Sequence, residues 1–551
     1  MKGENNIIMK NKMLKKLLMI TLIFSKYTYS ATRIGDYLEK KEQIKNIEKE
    51  LNRKELEEVS LRDINKIEDN SPTYIFSNII VIGNTMLDIE ISKVIKKYKN
   101  RPISVNDIKN LENELTNIYL KRGYVTSYAE VLEGNIVSGT LVFKIIEGKV
   151  NVVDPTDIKI RSAFPSKKND ILNIYDIDQA LDNLNLTNFD TQVYINQSEN
   201  QEYSDIYFNV EKNNPQLRLE VNNSNYKDNG KYMVSTFADI PNLLEINDML
   251  RVNYTERMTK KVKDREFFYN INYSIPYKYW KFTYNHNLEE RRNKIKTNFN
   301  ILKTITKMEK NYFKIEKNIY RNRRKKINLY SGVELVESFS SLNSTKIDVS
   351  SKKYTNFRLG LDYLHLEKSN LYFNFEYIKG VPWFEGEKNN DLSPYNYEYD
   401  RYDLNIYWQK NFNLAQKLSF IYNLNIGGSY SEDRLLSFNQ FTIGDEYTVR
   451  GFKEYSASGN KGIYMNNTLI YTDLYKISEK LSYIYPFIGM DFGMSRDKDL
   501  PNSDKLVGMA IGIKIESNNV SSSLTYGIPL KTSSGILKEK NPIYFSFSYK
   551  L

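Results

Sequence analysis

Leu371-Tyr372-Phe373-Asn374-Phe375-Glu376-Tyr377 puts Leu371, Phe373, Phe375 and Tyr377 in one phase and Tyr372, Asn374 and Glu376 in the other. Side chains of a strand point alternately to opposite faces, so this period of two describes a strand with one apolar and one polar face. The same reading holds upstream, with Phe357, Leu359, Leu361 and Tyr363 set against Arg358, Gly360 and Asp362. It holds downstream too, with Leu418, Phe420, Tyr422, Leu424 and Ile426 set against Ser419, Asn423 and Asn425. Period alone fits either a soluble sandwich or a membrane barrel that turns its apolar phase to lipid and its polar phase to a wet lumen.

Extent separates the two. The pattern runs from Leu217 to Leu551 without a helix, and about 20 residues per strand and loop gives roughly 16 strands, a transmembrane β-barrel size. The last strand ends at the C-terminus, with Ile543, Phe545, Phe547, Tyr549 and Leu551 opposite Tyr544, Ser546, Ser548 and Lys550. An end of this kind is expected to be read by barrel-assembly machinery. Aromatics make up 13% of the chain, mostly tyrosine, which suits interfacial girdles, although a genome of low GC content gives the same bias.

At the other end, Lys10, Lys12, Lys15 and Lys16 precede the apolar run Leu17–Phe24 and then Thr28-Tyr29-Ser30, which reads as a secretory signal peptide over 1–30. The apolar run is too short to span a bilayer, and nothing after it approaches the roughly 18 apolar residues of a transmembrane helix. The absence of cysteine suits an oxidising compartment. Beyond Ala31, apolar residues at Ile34, Leu38, Ile44, Ile47 and Leu51 in a Lys- and Glu-rich background predict one amphipathic helix and a linker.

Residues 74–150 predict a β-α-α-β-β module. A strand at Ile79–Ile82 meets Gly83-Asn84, a helix follows near Leu87–Lys97, and a second is capped by Ser104 and Asp107 and ends at Arg122-Gly123-Tyr124. Strands are expected near Val125–Val131 and Thr140–Glu147. A weaker copy occupies about 151–215, with helices at Ile158–Phe164 and Tyr175–Leu186 and strands at Gln192–Ile195 and Asp205–Val210.

The first module resembles a polypeptide-transport-associated (POTRA) domain in Gly83-Asn84, Arg101-Pro102-Ile103-Ser104, Tyr119, Arg122-Gly123-Tyr124-Val125-Thr126-Ser127, Gly139 and Glu147-Gly148. In the barrel, Gly444-Asp445-Glu446-Tyr447-Thr448-Val449-Arg450-Gly451-Phe452 resembles the Val-Arg-Gly-Phe/Tyr loop of the superfamily that includes two-partner secretion transporters (ShlB/FhaC/HecB) and barrel-assembly factors. Phe487-Ile488-Gly489-Met490-Asp491-Phe492-Gly493 resembles its partner strand. Leu184-Asn185-Leu186 departs from the pattern by lacking a basic residue after the Leu-Asn pair.

The resemblance implies a signal peptide (1–30), a plug helix and linker (31–73), two POTRA domains (74–150 and 151–215) and an outer-membrane barrel (216–551) with a long pore loop at about 429–461. It implies export of a large haemolysin- or adhesin-type exoprotein, bearing an N-terminal secretion domain, from the periplasm across the cell outer membrane. Two modules favour secretion over the alternative of a barrel-assembly insertase, and a passive porin needs no such adaptor. The helix at 31–52 is a removable plug on this reading, whereas its spacing equally fits a solvated linker.

Asp491 shares a phase with Gly489 and Gly493, so Asp491 is expected to face the lumen and Ile488, Met490 and Phe492 the lipid. The resemblance implies that Arg450 pairs with Asp491 to hold Val449, Arg450, Gly451 and Phe452 inside the pore, and direct pairing predicts that swapping the two charges restores some export. No catalytic, metal or cofactor site is expected, because His286 and His365 are the only histidines and lie on separate strands. Gly459-Asn460-Lys461 lacks phosphate-loop spacing. The net charge of +11 is dispersed rather than gathered in a stripe, which points to anionic outer-membrane lipid and away from nucleic acid.

Overall fold

The computed structural model describes residues 35–51, 60–64, 72–153, 158–186, 191–210, 213–224, 232–258, 265–296, 301–390, 393–416, 418–473, 475–476, 483–498, 502–533 and 539–551. The expected signal peptide lies outside the described residues.

In the first module the strands Asn78–Ile82, Thr140–Ile146 and Tyr128–Asn135 form one sheet with Thr140–Ile146 in the centre, parallel to the first and antiparallel to the last. The helices Asp88–Tyr98 and Val105–Lys121 cover one face, burying Ile91, Leu111, Leu115 and Tyr119 against Ile79, Phe143 and Ile145. Ser104 starts the second helix by accepting from the Asp107 amide at 3.2 Å, while the Asp107 carboxylate accepts from the Ser104 amide at 2.8 Å. The strand expected from Val125 begins only at Tyr128, because Val125–Ser127 folds as tight turns, with the Val125 amide bonding to Gly123 O and the Ser127 amide to Tyr124 O.

The second module repeats the plan with Lys149–Val153, Ile158–Ala163, Ile174–Leu184, Gln192–Gln197 and Tyr203–Asn209, and Tyr203–Asn209 is the central strand. Its helices sit on the turns at one end of the barrel. The Lys278 amide donates to Ser162 O (2.7 Å), Asn183 Nδ2 to Lys278 O (2.8 Å), Asn247 Nδ2 to Lys159 O (2.7 Å) and Arg321 Nη1 to Gln179 Oε1 (2.7 Å).

From Gln216 onward the strands close into a 16-stranded antiparallel barrel. The first strand, Gln216–Asn222, meets the last, Ile543–Lys550, through a short seam pairing Arg218–Asn222 with Ser546–Lys550. The outward phase is apolar and the inward phase polar: Phe375 is 41% exposed and Asn374 only 7%. Enclosure without lipid contact explains how so many polar groups are buried, since the inward ring satisfies them with one another.

Residues 35–51 are helical and lie across the barrel interior. Tyr37 and Leu38 pack with Met233 and Phe268, whereas Ile47 and Leu51 pack with Leu364 and Tyr407. Between these clusters the helix meets the inward phase by polar contacts. Lys41 pairs with Glu220, Glu42 with Arg218 (2.8 Å) and Glu39 with Lys310 (3.6 Å), and Glu39 also accepts from Asn287 (2.8 Å).

Candidate functional site: the inward loop and its anchors

The long connection is more ordered than its sequence suggests. Strand Leu418–Tyr430 runs through the expected loop start, and the connection carries a hairpin in which Phe441–Ile443 pairs with Ala457–Gly459 before strand Lys461–Tyr471 begins. Ile443, Val449, Phe452 and Ala457 of the loop are buried with Tyr464 and Leu506 of the barrel wall, so the loop folds inward on a small core that it shares with the wall. At its tip the Asp445 carboxylate accepts from the Tyr447 and Thr448 amides, both at 2.8 Å, a local turn that aims Val449 and Arg450 at the wall.

Arg450 reaches Asp491 on strand Tyr483–Arg496. Arg450 Nε donates to Asp491 Oδ2 and Nη2 to Oδ1, each at 2.7 Å, and the Arg450 amide donates to Oδ2 at 2.9 Å. Arg450 Nη2 also donates to Asn467 O (2.6 Å), and the Asn467 amide donates to Asp491 Oδ1 (3.1 Å). Asp491 is 0% exposed and Arg450 5%. Both carboxylate oxygens are thus saturated by donors, the condition under which a buried charge is tolerated. Ile488, Met490 and Phe492 are exposed on the opposite face.

The wall is cut away to admit the arginine. A Cβ at Gly489 would collide with Arg450 Nη2, and one at Gly508 with Arg450 O. Gly493 lies under Val449, and Gly451 lies against Ile528. Sequence reasoning singled out Gly489 and Gly493 and missed Gly508, Asn467, Glu539 and Tyr544. The run Gly508, Ala510, Gly512 in one phase of strand Asp504–Glu516 was the legible sign that something approaches there.

The other motif residues serve construction and junctions. Glu147 accepts from the Thr85 amide (2.8 Å), Thr85 Oγ1 (2.6 Å) and Tyr119 Oη (2.9 Å), joining the loop before the first helix, and the second helix, to the end of the central strand. Burial, then the bond to this carboxylate, pushes the Tyr119 phenol well above its ordinary value. Tyr124 packs edge-on against Tyr119 at 6.1 Å, Asn84 bonds Asp88, and Gly83 faces Ile145 O. Gly148 donates to Ser127 Oγ at 3.1 Å. Gly123 adopts φ +90°, and a Cβ there would stand 2.6 Å from Asn173 Oδ1, the cap of helix Ile174–Leu184. That close approach, with the Ile174 amide on Gly123 O at 2.9 Å, binds the two modules together.

Residues 202–515 match the family described as haemolysin secretion/activation protein ShlB/FhaC/HecB. The chain belongs to this family. Residues 75–148 match its POTRA domain of ShlB type, and residues 145–195 match a further POTRA domain. Among relatives, the outer membrane transporter CdiB of Escherichia coli O6:K15:H31 is 24% identical over 83% of this chain and 79% of its own. The hemolysin transporter protein HpmB of Proteus mirabilis is 24% identical over 98% of this chain and 100% of its own. The solved structure of CdiB from Escherichia coli superimposes with a TM-score of 0.87 at 20% identity, covering 95% of this chain and 99% of that one. As a ShlB/FhaC/HecB protein, the chain is an outer-membrane transporter that exports a partner exoprotein by two-partner secretion, with its POTRA domains in the periplasm.

Proposed function

We propose that this transporter is held shut by two devices that meet inside the barrel, the helix 35–51 acting as a removable plug and the Arg450 loop acting as a pore loop fixed by Asp491. The observation that carries this reading is the contact between them: Tyr37 Oη donates to Glu446 Oε2 at 3.2 Å and Lys40 Nζ lies 3.5 Å from Asp445 Oδ2. Movement of either device therefore disturbs the other. The division of the chain that goes with it is a signal peptide at 1–30, plug and linker at 31–73, POTRA domains at 74–150 and 151–215, with that boundary moved back to 148/149 because strand Lys149–Val153 pairs within the second module, and barrel from 216.

The cargo is an unfolded exoprotein of haemolysin or adhesin type with an N-terminal secretion domain. The edge of the first module, Tyr128–Asn135, which among the described residues pairs on one side only, suits its capture by strand addition. Folding outside the cell draws the chain through, so the protein works as a conduit and not as an enzyme. Anionic outer-membrane lipid surrounds the barrel, and the assembly machinery reads its last strand. A chain lacking residues 31–52 is expected to show raised ion conductance in planar bilayers, because about 16 strands enclose an aqueous channel once the helix is gone. Conductance unchanged from the full chain would return the helix to the role of a linker.

A further inference from the structure

The far arm of the pore loop ends on a second carboxylate. Glu539, between strand Val520–Thr532 and the last strand Ile543–Lys550, accepts on Oε2 from three successive amides, Lys453 N at 2.6 Å, Glu454 N at 2.9 Å and Tyr455 N at 3.4 Å. Successive N–H groups converging on one point form an anion-binding concavity, and here the anion belongs to the chain itself. Burial pushes the Glu539 carboxyl up from its ordinary value, and the three amides partly oppose that rise. The neighbouring contacts run the same way. Tyr544 Oη donates to Phe452 O at 2.7 Å, and Lys453 Nζ donates to Ile543 O at 3.4 Å.

All three tethers land on the last strand or the segment leading into it, next to the seam. The first strand's side of that seam is engaged as well: Asn223 Nδ2 donates to Ile543 O (2.9 Å), the Phe545 amide to Asn223 Oδ1 (2.8 Å) and Ser224 Oγ to Tyr37 Oη (2.5 Å). The loop is therefore fixed at two places with different supports. Arg450 is fixed to strand Tyr483–Arg496, and residues 452–455 to the closing strand and the segment leading into it.

We propose that Glu539 is a positioning residue for export, a latch that holds the outgoing arm of the pore loop on the closing strand, so that loop displacement requires release of Glu539 as well as of Asp491. The latch rests on the reading that loop position governs passage, and its test therefore has a readout apart from export. Since the chain has no cysteine, Lys453→Cys supplies a single thiol at a buried position whose backbone amide still donates to Glu539. Labelling of that thiol on whole cells by a membrane-impermeant maleimide should rise severalfold when Glu539→Ala is added, with surface barrel unchanged and export reduced severalfold. Glu539→Gln, which keeps an acceptor oxygen without the charge, should fall between. Labelling as slow in both double variants as in Lys453→Cys alone would overturn the latch. So would export that falls only in step with surface barrel. Faster labelling with undiminished export would uphold the tether and sink the premise that the loop governs passage, which overturns the positioning role.

Discussion

Asp491 accepts from the backbone amide of Arg450 as well as from its guanidinium, at 2.9 Å and 2.7 Å. The pair is thus a seat for one particular stretch of main chain, and charge attraction is only part of it. Arg450→Ala and Asp491→Ala are each expected to reduce export at least tenfold with the barrel still heat-modifiable. Breaking a buried pair costs about 3–5 kcal/mol, less where the lumen is hydrated. The charge swap expected from the sequence to restore some export should instead fail. An arginine at 491 would confront the amide donors of residues 450 and 467 with further donors. Secretion assays matched for surface barrel decide the matter, and export by the swapped protein near the wild-type level would contradict this account.

Gly508→Ala offers a probe that leaves both charges in place. The new methyl would overlap Arg450 O, and overpacking of this kind costs about 1–3 kcal/mol, so the loop should shift and export fall severalfold. Met490→Leu, on the exposed face of the neighbouring strand, is the control and should export normally. Equal export by the two variants would argue against a seated loop.

Deleting residues 74–147, which stops short of the second module's strand Lys149–Val153, should abolish export and leave a folded barrel in the outer membrane. The second module keeps its own bonds to the barrel turns through Ser162, Gln179 and Asn183, so loss of the first leaves that support intact. Heat-modifiable mobility reports the barrel and culture supernatant reports the cargo. Normal secretion would place recognition elsewhere.

Glu147→Gln should weaken the first module specifically. Hydrogen bonds to a charged group are worth about 1.5–3 kcal/mol, and Gln brings an amide donor to where Thr85 and Tyr119 already donate. Limited trypsin digestion of the full chain in detergent should release fragments of this module faster than from the wild type, with the barrel band unaffected.

The barrel was legible because lipid outside and water inside impose a strict two-residue period, visible at 371–377 and again in the final strand. Arg450 and Asp491 were legible through motif and phase together. The hairpin at 441–443 and 457–459 was not, because its strands are short and its apolar face is buried against the loop's own tip and two side chains of the wall, Tyr464 and Leu506, instead of a repeating neighbour. Glu539 had no local sign at all. Its meaning comes from amides some 85 residues earlier, and a Lys-Glu-Lys stretch in a surface loop otherwise reads as solvation. Val125–Ser127 misled because β-branched residues favour strands, whereas tertiary contact with Gly148 set a turn.

The helix across the lumen is gripped unevenly. Leu38 near one end and Leu51 at the other are buried in separate apolar clusters about 20 Å apart along the helix, and polar groups fill the span between. Burying one such side chain stabilises by about 1.5–3 kcal/mol, whereas the ion pairs Glu42–Arg218 and Glu39–Lys310, each with a partly exposed member, are worth about 0–1 kcal/mol apiece. The grip therefore resembles a strip closed by two press-studs, and a pull on one end meets them in turn. The peak force is set by a single stud, so a modest, sustained tug can clear a passage that looks firmly occupied at rest.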